Sequence, residues 1–194
     1  MRFFTSLSLL SLSIGLTTAA AVVTPNTDIS SRGFPFPGVK NSKRSCLRHS
    51  DVDTLVDAYV RMITKWNDAD AVYLASDFID SSDSINQLAG IPLGTPTFPS
   101  KAAFIEHQHV QPDNLPITIT YKSPTDCGEI ALIWAVKFGK AQIQVRGITI
   151  LGAVKEGGDW KIKSIDVEFN NIAYLLNIGG SFLFPGQPCP AAPK

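Results

Sequence analysis

Two carboxylates near the end of the chain are the first candidates for chemistry. Asp166 and Glu168 lie two positions apart in an alternating run, so on a regular strand they project on the same side. If that side lines an apolar interior, burial raises the pKa of the carboxyl groups, and both become candidate general bases and ligand contacts. If a bulge intervenes, they face water, and Ile165, Val167 and Phe169 are the buried set. Both alternatives remain open at the level of sequence.

Three further aspartates, Asp77, Asp80 and Asp83, recur at every third position. This spacing is similar to that of a calcium-binding loop, but the glycine and the terminal glutamate of an EF-hand are missing. Aspartates in such segments more commonly accept hydrogen bonds from backbone N–H groups. We therefore expect these carboxylates to make caps and turns.

Two histidines, His107 and His109, follow a predicted helix. Two positions apart, their side chains share a face only where the backbone is extended. A zinc site would need two more ligands from elsewhere in the chain. We expect solvated side chains where the helix frays, with no bound metal and no cofactor.

Aromatic side chains that face a predicted interior are the candidates for ligand binding. Tyr59 and Tyr73 lie on the apolar faces of two predicted helices, and Trp134 lies on the apolar face of a predicted strand. Such rings offer apolar surface, and a tyrosine also offers a hydroxyl group that orients a polar ligand. The sequence thus predicts that a small apolar or amphipathic molecule contacts these three rings. The alternative is that all three fill the core.

Helical periodicity dominates the part of the chain that must position these side chains. Apolar residues at helical spacing predict a first helix that starts near Ser50. These residues are Val52, Leu55, Val56, Tyr59 and Ile63. A second short helix is predicted over residues 69–76, with Val72 and Tyr73 facing inward.

The next segment carries turn residues rather than helical periodicity. Residues 78–85 are expected to be extended, and residues 86–99 contain enough Gly and Pro to predict a loop. Ser100 is then expected to cap a third helix that ends near residue 107.

Alternating apolar residues predict four antiparallel strands in the rest of the domain. Their ranges are 117–121, 130–138, 142–154 and 160–169. Residues 157–159 predict a hairpin turn, and a shift in alternation near Gly147 indicates a bulge. Helices followed by a meander predict an α+β fold with the helices on one face of a bent sheet.

Five segments of the domain carry a family resemblance. They are residues 77–86 (DFIDSSDSIN), 89–94 (AGIPLG), 96–105 (PTFPSKAAFI), 157–162 (GGDWKI) and 167–170 (VEFN). The chain resembles secreted fungal proteins with an NTF2-like domain, the SnoaL-like cone fold, over most of residues 46–180. The resemblance implies three N-terminal helices packed on a strongly curved antiparallel sheet. It implies no particular activity, because proteins of one fold often differ in function.

Ketosteroid isomerases of this fold use a tyrosine on the first helix, a carboxylate base and a protonated aspartic acid on a later strand. Tyr59 is similar in place to the tyrosine, and Asp80 or Asp83 lies near the place of the base. Residues 147–151 (GITIL) carry no carboxylic acid, so one donor to an oxyanion is missing. Such a donor contributes ~3 kcal/mol, and we do not expect this isomerase chemistry.

The resemblance leaves three hypotheses for function. The first is a protein that binds a small apolar or amphipathic molecule inside the cone. The second is a cofactor-free dehydratase or isomerase, because dehydratases such as scytalone dehydratase are similar in pairing histidines with tyrosines in this fold. The third is an interaction or effector protein without a ligand, whose exposed sheet face forms a homodimer or contacts a partner.

The N-terminal segment indicates export. Residues 1–20 show the charged, apolar and small-residue order of a secretory signal peptide, with cleavage expected near Ala20. Their apolar core is shorter than the ~20 residues that a membrane-spanning helix needs. We expect a secreted, extracellular protein.

A composition boundary follows at residue 44. Residues 21–44 are a propeptide or flexible linker that ends in the dibasic pair Lys43-Arg44, a site for proteases of the kexin type. We expect the NTF2-like domain over residues 45–182 and a Pro-rich tail over residues 183–194.

The charge balance argues against two classes of partner. The first 44 residues hold five of the 17 basic and one of the 17 acidic side chains. Beyond them, 12 basic and 16 acidic side chains leave a net charge of −4. Without a basic cluster, we expect binding neither to nucleic acid nor to an anionic membrane.

Three cysteines lie beyond the dibasic pair: Cys46, Cys127 and Cys189. In an oxidising compartment two of them should pair. Cys46 precedes the first helix and Cys127 opens a central strand, so both belong to the predicted core. We expect a Cys46–Cys127 disulfide, with Cys189 in the tail unpaired or joined to another chain.

The dibasic pair predicts the N-terminus of the secreted protein. Cleavage after Arg44 would leave Ser45 as the first residue, because the preceding segment is too rich in Pro, Gly and Ser to form a core. Intact mass and N-terminal sequencing of protein from culture medium should identify this start. A mature protein that begins at Val22 instead would show that the pair is not cleaved.

Overall fold

The computed structural model describes residues 46–111, 115–183 and 186. In chain order the elements are α1 (His49–Thr64), a 3-10 helix (Asp68–Tyr73), β1 (Leu74–Ser81), α2 (Asp83–Ala89), α3 (Lys101–Gln108), β2 (Thr118–Asp126), β3 (Glu129–Val136), β4 (Val145–Glu156), β5 (Asp159–Phe169) and α4 (Asn171–Asn177). Among these residues no helix is long and apolar enough to cross a membrane. The predicted signal peptide, the dibasic pair and Cys189 lie outside the described residues.

The strands form one curved sheet in the order β1-β5-β4-β3-β2. The meander from β2 to β5 is antiparallel, as predicted, but β1 runs parallel to β5. The sheet is therefore mixed, and the prediction of a purely antiparallel sheet is wrong at this edge. A parallel pair needs a long crossover, which here consists of α2, α3 and the whole meander. Helices packed on one face of this sheet confirm the α+β class.

The core lies between α1 and the inner face of the sheet. On β3 the alternation places Ile130, Leu132, Trp134 and Val136 inside, as predicted. The buried face of α1 agrees closely with its apolar periodicity. Its buried residues are Val52, Leu55, Val56, Ala58, Tyr59 and Met62. Burial of each large side chain contributes ~1.5–3 kcal/mol, so this contact supplies much of the stability of the domain.

The segment after α1 differs from the prediction. Residues 69–76 do not form an α-helix, since the 3-10 helix ends at Tyr73 and β1 starts at Leu74. Val72 is 59% exposed rather than inward. The reason is tertiary, because β1 pairs with β5, about 85 residues away in the chain, at Leu74 and again over residues 79–81.

Helix α2 is a second element that sequence periodicity does not reveal. Ser82 caps it by accepting a hydrogen bond from the N–H of Ile85 at 3.1 Å. The carboxylate of Glu168 on β5 accepts the N–H groups of Asp83 and Ser84 at 2.6 and 2.9 Å, and it also accepts the hydroxyl of Ser84. A distant carboxylate thus satisfies the first turn of this helix. The predicted extended segment is correct up to Ser81 and the predicted loop from Gly90, and both are wrong over residues 83–89.

Other local predictions are confirmed. Ser100 caps α3 by accepting a hydrogen bond from the N–H of Ala103 at 3.2 Å. The hairpin turn lies between Glu156 and Asp159, where Gly157 and Gly158 adopt φ of 65° and 97°. Positive φ at both positions suits glycine, which has no Cβ to clash.

The predicted bulge lies elsewhere in the sheet. At Gly147 the register is regular, and glycine is required because a Cβ there would lie 2.1 Å from the ring of Trp134. The irregularity falls between Gly152 and Ala153, opposite residue 163 of β5. The break in alternation near Gly147 is therefore caused by the close contact of its backbone with the ring of Trp134.

Helix α4 closes one end of the sheet and has no sequence prediction. Asn177 is buried, and its side chain makes two hydrogen bonds to the backbone of Ile143 in the β3–β4 connection. Its Oδ1 accepts the N–H of Ile143 at 2.8 Å, and its Nδ2 donates to the carbonyl of Ile143 at 2.7 Å. Its own carbonyl accepts the N–H of Lys140 at 3.0 Å. These bonds hold α4 against the ends of β3 and β4.

The structure joins Cys46 to Cys127, as predicted. The bond links the segment before α1 to the turn between β2 and β3 across a sequence separation of 81. The backbone repeats this connection, because the N–H of Leu47 donates to the carbonyl of Cys127 at 3.0 Å.

Removing this disulfide should destabilise the domain. Closing a loop of this length contributes ~4 kcal/mol in the chain-entropy model. Cys46→Ser should therefore lower the free energy of unfolding by about that amount in denaturant titrations. Cys189→Ser is the matched control and should change it little. An equal loss in both variants would show that Cys189 also stabilises the fold.

Candidate functional site

A chain of hydrogen bonds links α1 to the inner face of the sheet. The hydroxyl of Tyr59 lies 3.0 Å from Oγ1 of Thr149 on β4, and Nε1 of Trp134 on β3 donates to the same Oγ1 at 2.9 Å. All three side chains are buried, and Thr149 is fully so. Thr149 thus joins one helix and two strands through a single oxygen.

Counting the donors and acceptors in this chain of hydrogen bonds shows that the hydroxyl group of Tyr59 can donate to a further acceptor. An indole N–H can only donate, so Thr149 accepts from Trp134 and retains one proton of its own. When that proton points to the oxygen of Tyr59, the tyrosine O–H is available to another acceptor. Burial raises the pKa of Tyr59 far above its ordinary value of 10.0, so this hydroxyl stays a neutral donor.

Asp80 is the second polar group inside the domain. Its neighbours on β1 alternate, so that Phe78 and Asp80 face inward while Asp77 faces water. Asp80 is 4% exposed, and its Oδ1 is buried without a hydrogen-bond partner. A buried carboxylate oxygen without a partner is costly, and such groups call for an explanation in native structures.

Burial raises the pKa of Asp80 from its ordinary value of 3.8 to about 7, and the negative charge of Asp166 adds to the rise. Asp80 also contributes to the raised pKa of Tyr59, so the two groups interact electrostatically inside the domain. A carboxyl group of this pKa changes its protonation state near neutral pH. It can accept a proton or a hydrogen bond in one state and donate in the other.

A row of aromatic rings starts at Trp134 and leads to α4. Trp134 contacts Phe169 at 6.0 Å between ring centroids, Phe169 contacts Tyr174 at 5.3 Å, and Tyr174 contacts Phe138 at 4.8 Å. Tyr174 belongs to α4, and burial raises its pKa. The row forms an apolar wall between the interior and the end of the sheet that α4 covers.

The structure brings together two of the predicted binding residues and separates the third. Tyr59 and Trp134 meet at Thr149 in the interior. Tyr73 is half-buried at the surface, where it lines a different concavity with Trp160. The predicted helix that pointed it inward is the 3-10 helix, so its ring packs on the edge of the core instead.

Asp166 and Glu168 lie on the outer face of the sheet. Both are exposed, whereas Ile165 and Val167 are buried, so the alternative with a bulge describes the strand. The register shift at residue 163 changes which residues of β5 face the core. Glu168 caps α2 from this face, and Asp166 affects the interior only through its charge on Asp80.

The remaining polar candidates do not converge. Asp77 forms an ion pair with Lys163 at 3.0 Å, and Asp83 accepts the N–H of Gly94 at 2.7 Å in a turn. The ring of His107 packs on Phe98, and His109 lies 2.6 Å from Asp68 at the surface. Among the residues that the structure describes, no three His, Cys, Asp or Glu side chains cluster as a metal site requires.

Sequence reasoning did not single out Thr149. It expected Asp80 to make a cap or turn, and the resemblance to ketosteroid isomerases also put Asp80 or Asp83 near the place of the base. Thr149 is the middle residue of GITIL, where its polarity interrupts an apolar run on a central strand. That interruption is a signal that could have found it, because a hydroxyl group in a buried strand needs a partner. The burial of Asp80 carried no local signal, since it depends on the parallel pairing of β1 with β5.

The outer face of the sheet carries a concavity of its own, with a volume of about 570 Å³. Ile148 and Ile150 line it on β4, and Asp166 and Glu168 line it on β5. Ile148 is 54% exposed. The fold therefore separates an apolar outer surface from the interior that holds Asp80 and Tyr59.

Comparison with solved structures finds similar folds. One is a hypothetical protein with a ketosteroid isomerase-like fold from Catenulispora acidiphila DSM 44928, in complex with trimethylamine. It is 16% identical with a TM-score of 0.50, over 66% of this chain and 93% of that chain. Another is a putative SnoaL-like polyketide cyclase from Shewanella denitrificans OS-217, 12% identical with a TM-score of 0.50, over 68% of this chain and 98% of that chain. At these identities the likeness concerns the fold alone.

Comparison with curated protein sequences found no match. The sequence profile of the NTF2-like domain family matches residues 45–181, which include every element from α1 to α4. The helices, the curved mixed sheet and the two similar structures agree with that match. The chain therefore belongs to the NTF2-like domain family.

Proposed function

We propose that this NTF2-like domain binds a small amphipathic molecule in its interior, oriented by Asp80 and Tyr59. The observation that supports the proposal is the buried Oδ1 of Asp80, which has no hydrogen-bond partner. A ligand with a hydroxyl or amine group would supply the missing donor. Small-molecule sites commonly combine an apolar lining with a few such polar groups.

The apolar part of the ligand would contact the aromatic row. Trp134 is linked to Tyr59 through Thr149, Phe169 packs on Trp134, and Tyr174 continues the row toward α4. Rings of this kind bury large apolar areas at a small cost in conformational entropy. The ligand class is therefore one with a rigid apolar body and one or two polar groups.

Entry of the ligand requires a local opening. Tyr59, Trp134 and Asp80 are each at most 5% exposed. Helix α4 is the short element at the aromatic end, and the bonds of Asn177 hold it in place. Short elements with few buried contacts open at lower cost than the core does, so α4 is the proposed point of entry.

A second candidate function is cofactor-free proton transfer, and the pKa of about 7 for Asp80 favours it. In this mechanism the Asp80 carboxylate removes a proton from carbon next to a carbonyl group, and the C–H electron pair moves toward the carbonyl oxygen. The O–H of Tyr59 donates a hydrogen bond to that oxygen. Return of the proton from Asp80 to another carbon completes an isomerisation. In a dehydration the enolate electrons form a C=C bond and break the C–O bond of a β-hydroxyl group, which leaves as water with the proton from Asp80.

Thr149 distinguishes this site from a pair of acidic donors. Thr149 lies on the strand beside Tyr59, and its hydroxyl group bonds the tyrosine oxygen. It can therefore support an oxyanion only indirectly, through the hydroxyl group of Tyr59. A single donor limits the stabilisation of an oxyanion, so binding is the proposal and proton transfer the second candidate. Whichever applies, we propose that the protein acts outside the cell, because of the signal-peptide pattern in residues 1–20.

The raised pKa of Asp80 predicts that the protein loses stability as pH rises. The unfolded carboxyl group ionises at 3.8, whereas the folded one ionises at about 7. Between these values the folded state binds more protons, so the free energy of unfolding falls with rising pH. At ~1.4 kcal/mol per pKa unit, the total fall is about 4 kcal/mol.

Asp80→Asn tests this prediction because an amide does not ionise. The variant should lose most of the slope and exceed the wild type in stability near pH 8, as measured by denaturant unfolding across the range. Asp77→Asn is the control, since this exposed surface carboxylate should contribute little. Parallel profiles for Asp80→Asn and wild type would contradict the raised pKa.

Binding can be tested with a panel of sterols, polyketides and fatty acids. A ligand at a hundred times its dissociation constant adds ~2.7 kcal/mol to stability, which raises the melting temperature measurably. For a ligand that uses the hydroxyl of Tyr59, Tyr59→Phe should weaken binding roughly tenfold. Tyr121→Phe is the control, because Tyr121 is 53% exposed on β2.

The same panel separates the hypotheses. Deuterium incorporation from heavy water into a bound ketone, abolished by Asp80→Asn, would establish proton transfer. If no compound shifts the melting temperature, the binding and enzyme hypotheses both fail. The interaction hypothesis would then remain, with the outer face around Ile148 as its surface, and sedimentation analysis would test the homodimer.

A further inference from the structure

A second concavity lies at the surface, outside the interior site, with a volume of about 330 Å³. The first turns of α1, the 3-10 helix and the start of β5 surround it. Half of its lining side chains are polar and half are apolar or aromatic. The polar ones are Asp51, Thr54, Asp159 and Lys161, and the others are Leu55, Val72, Tyr73 and Trp160.

Two aromatic rings give this concavity its apolar walls, and a cation fixes each of them. Nζ of Lys155 lies 5.6 Å from the ring centroid of Trp160, and the guanidinium of Arg61 lies 5.5 Å from that of Tyr73. Arg61 is itself held by the buried Asp70, which accepts Nε at 3.1 Å and Nη2 at 2.9 Å. Rings held in this way lose little freedom when a ligand stacks on them.

The polar rim offers acceptors more than donors. Lys161 donates to the carbonyl of Val72 at 2.9 Å, which ties β5 to the 3-10 helix. The hydroxyl of Thr54 donates to the carbonyl of Ser50 at 2.8 Å, so its lone pairs remain for a ligand. Asp159 adds a carboxylate acceptor, and Asp51 adds its Oδ1, because its Oδ2 accepts the N–H of Arg48 at 2.8 Å. A matching ligand has several hydroxyl donors and an apolar face.

The charges around the concavity argue against an ionic ligand. Lys161 lies in the lining, Lys155 and Arg61 lie close to the two rings, and these charges repel a cation. Asp51 and Asp159 repel an anion. With both signs present at short range, a neutral molecule avoids a repulsive contact on either side.

We propose that this concavity binds a pyranose ring of a neutral carbohydrate. A pyranose has C–H groups on its faces and hydroxyl groups around its edge, which match aromatic walls and an acceptor-rich rim. In β-linked glucose and N-acetylglucosamine the ring substituents are equatorial, so both faces expose C–H groups to stacking. The volume lies at the lower end of the ~300–1,000 Å³ range of ligand sites and suits one or two sugar rings.

The three tryptophans of the chain give a direct test on the wild-type protein. Each indole N–H yields a separate NMR signal, assigned by replacing each Trp with Phe. Cellotriose, laminaritriose and N-acetylchitotriose should be titrated to ~10 mM, which nearly saturates a site with a Kd of ~1 mM. At least one sugar should shift the Trp160 signal saturably. Trp134, bonded to Thr149, and Trp66, bonded to Asp68, should not move.

Variants locate the site. Trp160→Ala should weaken binding of the active sugar at least about tenfold, and Trp160→Phe should restore part of it because a ring remains. Tyr121→Ala is the matched control, since it removes an exposed tyrosine on β2, an edge strand that is not adjacent to β5. The wild-type titration stays decisive even if Trp160→Ala fails to fold.

Two results would overturn the proposal. One is the absence of any Trp160 shift with all three sugars, and the other is a shift of Trp134 in place of Trp160. The second result would move the binding to the interior, where Asp80→Asn and Tyr59→Phe report it. The NMR signal of Trp160 therefore tests the carbohydrate site, and the signal of Trp134 tests the interior site.

Discussion

The docking of α1 inside the curved sheet depends on the hydroxyl group of Thr149. This oxygen is the meeting point of Tyr59 from the helix and Trp134 from the neighbouring strand. Without it, a phenol hydroxyl and an indole N–H would be buried unpaired, at ~1–3 kcal/mol each. The position of Trp134 in turn requires glycine at position 147, where a side chain would occupy the space of the ring. One hydrogen-bond junction thus fixes the helix, two strands and the aromatic row that ends at α4.

Asp80 stands in contrast to that satisfied junction. Its carboxyl group lies in the same interior, yet its Oδ1 has no partner, and its pKa rises to about 7. Buried carboxyl groups with a raised pKa occur frequently at functional sites, and this supports Asp80 as the polar centre of the proposed site. The adjacent Tyr59 is held neutral by burial and remains a donor. The interior therefore holds an acceptor and a donor that interact electrostatically.

The fold also assigns different tasks to carboxylates that are neighbours in sequence. Asp77 forms an ion pair at the surface, Asp80 is a buried acid, and Asp83 accepts a hydrogen bond in a turn. Glu168 reaches from the outer face of β5 to the first turn of α2 and so adds a distant cap to the local one at Ser82. The parallel pairing of β1 with β5 produces both results, because it brings the segment around residue 80 beside the segment around residue 165.

The sequence by itself determined the elements whose signals are local. The apolar spacing of α1, the alternation of β3, the cap at Ser100 and the glycine turn at residues 157–158 each follow from contacts within a few residues, and all are present. The family resemblance and the two core cysteines led correctly to the NTF2-like fold and to the Cys46–Cys127 bond. Tyr59 and Trp134 were predicted to face the interior because their own periodicity points there.

Only the tertiary structure decided the rest, since it depends on pairings between distant residues. A bulge opposite Gly152 turned Asp166 and Glu168 outward, and no local pattern marks its place. The edge pairing of β1 replaced a predicted helix, moved Tyr73 to the surface beside Trp160 and buried Asp80. Local preferences of about 1 kcal/mol per residue yield to a ladder of backbone hydrogen bonds and a closed core. The chemical character of the site therefore arises from the sheet register, which no single segment of the sequence encodes.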